Sequence, residues 1–404
     1  MTQAPETQKK PRAFEGVRVL EFAALIAGPS CGKYLADHGA DVVKIERFPL
    51  GDVSRAYNRT GAPRSPMYMQ QNAGKRGMCI DLKQPEGMAV ARELAAKADI
   101  VIEAFTPGVM DRLGLGYEDL KKLNPAIILC SISGFGQTGP NAKRPGYAHI
   151  SHAMTGWLAM QFLHCDPPQV PRGPGIAIGD TTAGLTAFGA VSAALYRKAM
   201  TGEGDHIDIS LFDSLFGSND FSLQTYLTAG EVDVFYHPVH ATKDGYITAS
   251  VGPDHRSWQG TCVAMEQPEL ANDPRFSDAG KLEDNMEEAA AIMRAWLQSM
   301  TSEDAERLLT ENHVACGIVQ TIDKAVRQPQ VKARNMTVTV DDPVMGPVDQ
   351  INSAFHYSNA ESGVSGPAPM LGQHNADVLR RDLGYDEEHI QRLLEQGVLR
   401  SEDR

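Results

Sequence analysis

The first half of the chain alternates short apolar stretches with stretches of helical pattern. "VRVLEFAAL" (17–25) predicts a buried strand of the parallel type, a loop and short helix follow it, and "DVVKIER" (41–47) predicts the next strand. This alternation of strand and helix repeats, with further strands predicted at 99–105 and 126–136. Because parallel strands are joined by crossover helices, the pattern predicts an α/β fold with a parallel sheet covered by helices.

The character of the sequence changes near residue 225. "YHPVHATKDGYITASVG" predicts a strand pair that turns around 243–245, and 284–310 has the periodicity of one amphipathic helix. We expect a disordered arm, the first part of a large domain, a smaller α+β domain, and a return to the large domain with C-terminal helices, at 1–15, 16–224, 225–325 and 326–404.

The 404 residues carry a formal net charge of −13, which argues against nucleic acid as the main partner. An anionic small molecule remains compatible with that charge, since a few local Arg and Lys side chains can hold one. No apolar run is long enough for a membrane span, and the first residues lack the apolar core of a secretory signal. The six cysteines have no metal-ligand spacing, so we expect a cytoplasmic protein without a metal site.

The turn after the first strand reads "AGPSCG" rather than GxGxxG, and Pro29 occupies the tight turn. NAD binding with Glu46 as the ribose partner is therefore disfavoured. Basic residues instead recur near the ends of predicted strands, where open parallel sheets bind ligands. Each one alone is more often a solvated surface charge, but their recurrence predicts an anion site drawn from Arg47, Arg55, Lys75, Arg76, Lys83 and Arg112.

"GPGIAIGDTTAGLTAFGAVSAALYRK" (173–198) contains a single charge, Asp180, before its final Arg–Lys pair. A carboxylate in so apolar a run needs hydrogen bonds or positive dipoles. Asp180 fits the N-cap of the small-residue helix, or a nucleophile held ionised at the helix start with small residues leaving room for a bulky substrate. The residues alone favour the cap.

His149 and His152 are three residues apart in "GYAHISHAMTG", and no second cluster complements them. We expect a packed or surface pair rather than a metal or base site. The chain has no GxSxG, HExxH or P-loop motif, so serine hydrolase, zinc protease and kinase functions lack support.

Several longer stretches occur together in an order that is typical of one family. They are "FEGVRVLEFAALIAGPSCGKYLADHGADVVKIER", "KRGMCIDLKQPEG", "VIEAFTPGVMDRLGLGYEDLKKLNP", "SGFGQTGPNAKRPGY", "GDTTAGLTAFGAVSAALYRKAMTGEGDHIDISLFDS" and "PMLGQHNADVLRRDLGY". Through these motifs nearly the whole chain resembles the class III (CaiB/BaiF-type) coenzyme A transferases. That family includes the carnitine, formyl-CoA:oxalate and succinyl-CoA:benzylsuccinate CoA-transferases.

The resemblance implies a Rossmann-like large domain built from both chain ends, a small domain, and an interlocked homodimer or a heteromer with a homologous subunit. It implies that CoA moves from a donor such as succinyl-CoA to a carboxylic acid, with Asp180 passing through an aspartyl anhydride and an aspartyl-CoA thioester. The CoA thioester is then a substrate, and no cofactor stays permanently bound. The family's CoA contacts fall on Ile26, Ala27, Arg47, Ile80, Lys83, Ala104, Phe105, Thr106, Arg112, Ser133 and Gly134.

The sequence departs from the family pattern at two places. The identity of the acceptor acid and the nature of any lid over the site are therefore not predicted. Ala148 follows "RPGY" where the family usually has Asp, and the short "ASVGPDH" stands in place of a glycine-rich lid. The nearest rival of the same fold is α-methylacyl-CoA racemase, which exchanges an α-proton through a histidine and an aspartate. Alignment on the flanking glycines places Tyr147 where racemases carry histidine, which disfavours a racemase although His149 is close. An intact Asp180 argues against a catalytically silent subunit.

Overall fold

The computed structural model describes residues 10–161, 173, 175–219, 221–232, 238–249 and 255–402. The chain divides into a large unit, formed by Met1–Gln224 and Ala333–Arg404, and a small unit, Thr225–Lys332. Part of the predicted strand pair, most of "ASVGPDH" and the first nine residues of the arm lie outside the described residues.

Six parallel strands form the central sheet of the large unit, in the order β3-β2-β1-β4-β5-β6. The chain winds outward from β1 to one side and from β4 to the other, as in Rossmann-like sheets. The predicted α/β fold with a parallel sheet is confirmed. The strands are β1 (Arg18–Phe22), β2 (Asp41–Arg47), β3 (Arg76–Ile80), β4 (Ile100–Glu103), β5 (Ile128–Ser133) and β6 (Asp205–Ser210).

Both faces of this sheet are buried along its inner strands, such as β1 and β4. Successive residues of a strand point to opposite faces, so Val19 and Leu20 of β1 belong to two different cores. Ile100 and Val101 of β4 divide in the same way. Burial on both faces is the reason why these strands read as continuous apolar runs.

Helices join the strands and cover both faces of the sheet. They are α1 (Ala27–Asp37), α2 (Pro66–Asn72), α3 (Pro85–Lys97), α4 (Val109–Leu113), α5 (Tyr117–Leu123), α6 (Ala148–Met154), α7 (Trp157–Met160), α8 (Ile178–Thr201) and α9 (Leu211–Gly217), with a 3-10 helix at Val53–Ala56. The long helix α8 packs against α1 and contributes Ala183, Ala187 and Val191 to one core.

The small unit has its own core, which contains Trp258 and Phe276. Its sheet is antiparallel in the order β7-β8-β9, with β7 (Val239–Ala241), β8 (Tyr246–Ala249) and β9 (Cys316–Ile318). The helices from the division onward are α10 (Ser222–Ala229), α11 (His255–Ala264), α12 (Ala279–Asp284), α13 (Met286–Leu297), α14 (Ser302–Glu311), α15 (Ile322–Ala325) and α16 (Pro329–Ala333), with a 3-10 helix at Pro268–Asn272.

The single helix expected at 284–310 is wrong, since α12 ends at Asp284 and α13 and α14 are separate helices. The reason is a cap that starts α14. The Thr301 side chain accepts a hydrogen bond from the Asp304 backbone N–H at 3.2 Å and begins a new helix there.

The chain then returns to the large unit. It forms a hairpin of β10 (Thr337–Asp342) and β11 (Gly346–Ile351), then α17 (Asn375–Val378), a π-helical turn at Leu379–Leu383 and α18 (Glu387–Glu395). Leu393 and Val398 complete the core that β3 and α3 begin.

The expected arm packs against the large unit from Lys10 onward. Arg12 forms a β-bridge with Glu361, and its guanidinium donates to the Gly363 carbonyl at 3.0 Å. The Phe14 ring lies 6.1 Å from the Phe188 ring, edge to face. Disorder is therefore the wrong expectation for 10–15, because Phe14 has an apolar contact to bury it. No described helix is long and apolar enough to cross a membrane.

Candidate active site

The loops that follow β1 and β4 lie side by side at the carboxyl edge of the sheet, because these strands are neighbours. The chain leaves them toward opposite sides, and open α/β sheets bind ligands at such a switch point. Two cavities lie there, and Ala24 and Phe105 line both. The two cavities therefore adjoin across these side chains.

The larger cavity has a volume of about 660 Å³ and lies beyond the ends of β1, β2 and β3. Apolar side chains such as Phe22, Ile45 and Ile80 form much of its wall. Arg47 and Lys83 also line it, and both side chains are exposed. The cavity suits a ligand with an apolar body and an anionic end.

Three of the six cations expected at an anion site are engaged elsewhere. Lys75 is buried and bonds the Glu21 carboxylate at 2.7 Å, because a buried charge needs a partner. Arg55 bonds Glu46 at 2.7 Å.

Arg76 pairs with Asp41 and Asp382 at the start of β3, which is the opposite edge of the sheet. The expectation is wrong for Arg55, Lys75 and Arg76. Arg47, Lys83 and Arg112 form no ion pair with any residue that the structure describes, so they remain available to an anion.

The smaller cavity, of about 190 Å³, contains Asp180. Its walls come from the loops after β1, β4 and β5 and from the segment that leads into α6. All but two of the residues expected to contact CoA line one cavity or the other. Of the remaining two, Ile26 directly precedes α1, and Arg112 lies on α4 beside Val109 and Leu113, which line the larger cavity.

Asp180 is not the N-cap of its helix. Helix α8 begins at Ile178, so Asp180 lies in the first turn, and the cap position is Ala177. The backbone N–H of Gly179 instead donates to Nε2 of His152 at 3.1 Å. His152, 27 residues earlier in the chain, therefore accepts the hydrogen bond at the helix start that we expected Asp180 to accept. The Asp180 carboxylate lines the cavity instead.

The local surroundings set the charge state of Asp180. Burial raises the pKa of its carboxyl to about 6, and a hydrogen bond from the Ala148 backbone N–H at the start of α6 opposes that shift. Asp180 is thus mostly ionised at neutral pH, yet more basic than a solvated carboxylate. Such a group can act as a nucleophile or as a base.

The small residues around Asp180 make room for neighbouring helices rather than for a bulky substrate. A Cβ on Gly184 would lie 2.6 Å from the Ser30 Cβ of α1. A Cβ on Gly179 would meet Ser151 of α6. This close packing corrects the sequence interpretation and fixes the start of α8 against the two helices that border the cavity.

His152 is buried and holds α8, whereas His149 is exposed and stacks on the Tyr147 ring at 6.1 Å. Burial and the nearby His149 lower the pKa of His152, which keeps it neutral as an acceptor. Tyr147 lines the Asp180 cavity, and no histidine is among the described residues that do so. The described residues that line this cavity therefore include no His–Asp pair for proton exchange.

Two polar residues of this region were not among the residues expected from the sequence. Glu103, at the end of β4, accepts a bond from the Phe105 backbone N–H at 2.8 Å, and burial raises its pKa to about 7. Its position at a strand end could have marked it. Arg144 lines the Asp180 cavity from a loop and lies in the "RPGY" stretch, which could have marked it, but the loop has no periodic pattern that would place its side chain. No group of three described His, Cys, Asp or Glu residues could hold a metal ion.

Known proteins are similar to this chain over nearly its full length. The family described as CoA-transferase family III matches residues 14–375. A succinyl-CoA–D-citramalate CoA-transferase of Chloroflexus aurantiacus is 32% identical, covering 97% of this chain and 100% of that protein. A succinyl-CoA:glutarate CoA-transferase of Homo sapiens is 30% identical, covering 96% of this chain and 90% of that protein.

The solved structures agree with the sequence relatives. A CaiB/BaiF family protein from Brucella suis superposes with a TM-score of 0.81 at 31% identity, covering 93% of this chain and 100% of that one. The family match includes the residues of the site at the switch point, and these relatives cover most of the chain. The chain therefore belongs to CoA-transferase family III and is an enzyme of this class.

Proposed function

We propose that the enzyme moves CoA from succinyl-CoA or a similar acyl-CoA to a carboxylic acid acceptor, with Asp180 as the covalent nucleophile. The observation that carries the proposal is the position of a partly buried, ionised Asp180 in a cavity adjoining the larger one. The names of both relatives above, which specify succinyl-CoA as donor, support the choice of donor.

In this proposal the larger cavity holds CoA. Its apolar wall receives the pantetheine arm, and Arg47, Lys83 and Arg112 bind the phosphates. The thioester end reaches Asp180 past Ala24 and Phe105, which line both cavities. Phosphate contacts far from the sulfur would hold the thiolate near the site between steps, which raises its effective concentration.

The chemistry proceeds in four displacements at carbonyl carbons. The Asp180 carboxylate attacks the donor thioester, forming a mixed anhydride and releasing CoA thiolate. The thiolate attacks the aspartyl carbonyl, forming aspartyl-CoA thioester and releasing the donor acid as its carboxylate. The acceptor carboxylate attacks the thioester, which gives a second anhydride and thiolate, and the thiolate then takes the acceptor acyl group and frees Asp180. Covalent catalysis divides one difficult transfer into easier ones.

Each displacement passes through an oxyanion that needs hydrogen-bond donors. We propose backbone N–H groups near Gly134 and in the first turn of α8 for this role, since Gly134 and Asp180 line the same cavity. Gly134 lies against Gly146, where a Cβ would be 2.6 Å from the Gly146 Cα, so the backbone itself borders the site.

The enzyme is further proposed to work as an interlocked homodimer, with a heteromer containing a homologous subunit as the alternative. Light scattering on the purified chain separates the two, because a chain that needs a second subunit would not form an active homodimer alone.

Trapping the covalent intermediate tests the proposed reaction. Incubation with succinyl-CoA and no acceptor leaves CoA on Asp180 as a thioester, and hydroxylamine converts it to a hydroxamate on the tryptic peptide 173–197. Mass spectrometry locates the modification. Asp180→Asn forms no adduct and loses transfer, under conditions that exclude deamidation. The fold is retained because Asp180 is not the N-cap of α8 and the Asn side-chain oxygen can still accept the bond from the Ala148 N–H.

Other outcomes contradict the proposal in distinct ways. A racemase exchanges the α-proton of its substrate with solvent and acylates no carboxylate. Label on Cys31 or Cys130, both buried in the structure, with Asp180 unmodified would assign the nucleophile elsewhere. Near-normal turnover by Asp180→Asn would remove Asp180 from the reaction.

A further inference from the structure

The Asp180 cavity contains one other charge. Of the described side chains that line it, only Asp180 and Arg144 are charged at neutral pH, and the others are apolar or neutral. The Arg144 side chain is exposed, and no described carboxylate lies within 4.0 Å of its guanidinium. Asp180 is among the carboxylates that do not reach it. The cavity thus has a nucleophile and a separate, unpaired cation.

The guanidinium of Arg144 lies over the aromatic ring of Phe135. Its central carbon lies 5.7 Å from the centroid of the Phe135 ring, within the range of cation–π attraction. An arginine held in this way presents a planar fork of N–H donors that matches a carboxylate with two parallel hydrogen bonds. A small anionic group is the ligand that such a fork recognises best.

We propose that Arg144 binds the second carboxylate of a dicarboxylic acyl group, so that this enzyme selects dicarboxylic over monocarboxylic acids. The inference rests on the proposed function, since one carboxylate must react at Asp180 while the other reaches Arg144. The space is adequate. The cavity, of about 190 Å³, exceeds the ~150 Å³ that holds a six-carbon ring in an engineered protein cavity.

One arginine serves both halves of the reaction. The acyl group of the donor and the acid that replaces it each form an anhydride with the same Asp180 carboxyl group, so they occupy the same space in turn. Arg144 therefore favours succinyl-CoA over butyryl-CoA as donor, and glutarate over pentanoate as acceptor. Each pair matches the chain length and differs only in the distal carboxylate.

A contact between Arg144 and CoA itself predicts a different result. In that case loss of the guanidinium would weaken succinyl-CoA and butyryl-CoA alike and would leave selection between acceptors unchanged. The two assignments are separated by ratios of kcat/KM within each matched pair, which cancel any general loss of stability or of CoA affinity.

The test compares Arg144→Gln with Lys143→Gln. Lys143 is the adjacent exposed cation and does not line the cavity, so its variant removes the same charge from the same loop. In Arg144→Gln the preference for succinyl-CoA over butyryl-CoA, and for glutarate over pentanoate, falls roughly ten- to hundred-fold, as expected for a lost charge-assisted contact. Lys143→Gln keeps the wild-type ratios, and Arg144→Lys restores part of the preference.

Equilibrium binding keeps this inference separate from the transfer mechanism. Calorimetry measures glutarate and pentanoate on the unreacted wild-type enzyme and on Arg144→Gln. A loss confined to glutarate supports the inference, even in a protein that forms no aspartyl-CoA, an outcome that would overturn only the proposed function. Equal glutarate affinity in the two proteins, or equal losses for both members of each pair, would overturn the role of Arg144.

Discussion

Asp180 combines two properties that an ordinary N-cap does not have. Its carboxyl faces a cavity, and burial raises its pKa to about 6 although the Ala148 N–H bonds to it. The proposed first step needs the ionised carboxylate. A basicity above that of a solvated carboxylate also makes the anion a better nucleophile, provided the working pH lies above the raised pKa.

Activity should therefore fall on the acid side. Because the protonated form of Asp180 cannot attack, kcat/KM for succinyl-CoA is half-maximal near pH 6 and drops about tenfold for each further unit of pH, whereas an unshifted carboxyl would hold activity down to about pH 4. A pH–rate profile from pH 4.5 to 8 measures this.

Glu103 is the matched control for that profile, because burial raises its pKa to about 7 and it bonds the Phe105 backbone without lining either cavity. If protonation of Asp180 causes the fall of kcat/KM at acid pH, Glu103→Gln shows the same fall. Loss of the fall in Glu103→Gln, or full wild-type activity at pH 5, would contradict the assignment to Asp180.

At the scale of elements, the site depends on how closely α8 approaches α1. Gly184 lies between them, and an added methyl group would meet Ser30 and the Ala27 carbonyl oxygen at 2.6 and 2.9 Å. Gly189 is on the exposed side of the same helix and has no atom within 4 Å of a would-be Cβ. The two glycines share a helix and differ in surroundings.

We expect Gly184→Ala and Gly189→Ala to shift stability in opposite directions. Overpacking at Gly184 costs about 1–3 kcal/mol, which outweighs the gain in helix propensity, whereas Gly189→Ala stabilises α8 by up to ~1 kcal/mol. The midpoint of thermal unfolding measures both. Equal shifts in the two variants would mean that α1 and α8 do not touch as described.

Local patterns were enough to predict β1, β2, β4 and β5 and the edge at which ligands bind. β1, β4 and β5 are apolar runs bounded by turn residues, and parallel topology then places the residues after them together. The start of α8 was missed because the Gly179 N–H in its first turn is satisfied by His152, 27 residues away. Arg144 was missed because a loop residue has no periodicity, and its surroundings depend on the whole fold.

The partners of buried charged residues are also difficult to predict from the sequence. Lys75 looks like an available cation in the sequence, yet it is buried against Glu21, 54 residues away. Sequence distance hides such pairs, since only the folded sheet brings β1 and the start of β3 close enough for Nζ and carboxylate to meet.

At the scale of the whole molecule, the C-terminal segment supports a strand that lines the larger cavity. Leu399 forms an antiparallel bridge with Ile80 of the edge strand β3, and Ile80 lines that cavity. Asn375 joins strand β3 to the C-terminal segment by two hydrogen bonds. Its side-chain oxygen accepts from the Cys79 N–H at 3.0 Å, and its amide nitrogen donates to the Arg400 carbonyl at 2.8 Å.

Asn375→Ala should therefore destabilise the large unit by about 2–3 kcal/mol, since it leaves the buried Cys79 N–H and the Arg400 carbonyl without their partner. The C-terminal tail also loosens, which limited trypsin digestion detects as faster cleavage at Arg392 and Arg400. Asp377→Ala is the control on the same helix. Its side chain is 50% exposed and pairs with Arg76 at 3.4 Å, so the loss stays below about 1 kcal/mol. If the two variants unfold at the same urea concentration, the bonds of Asn375 do not hold the chain ends together.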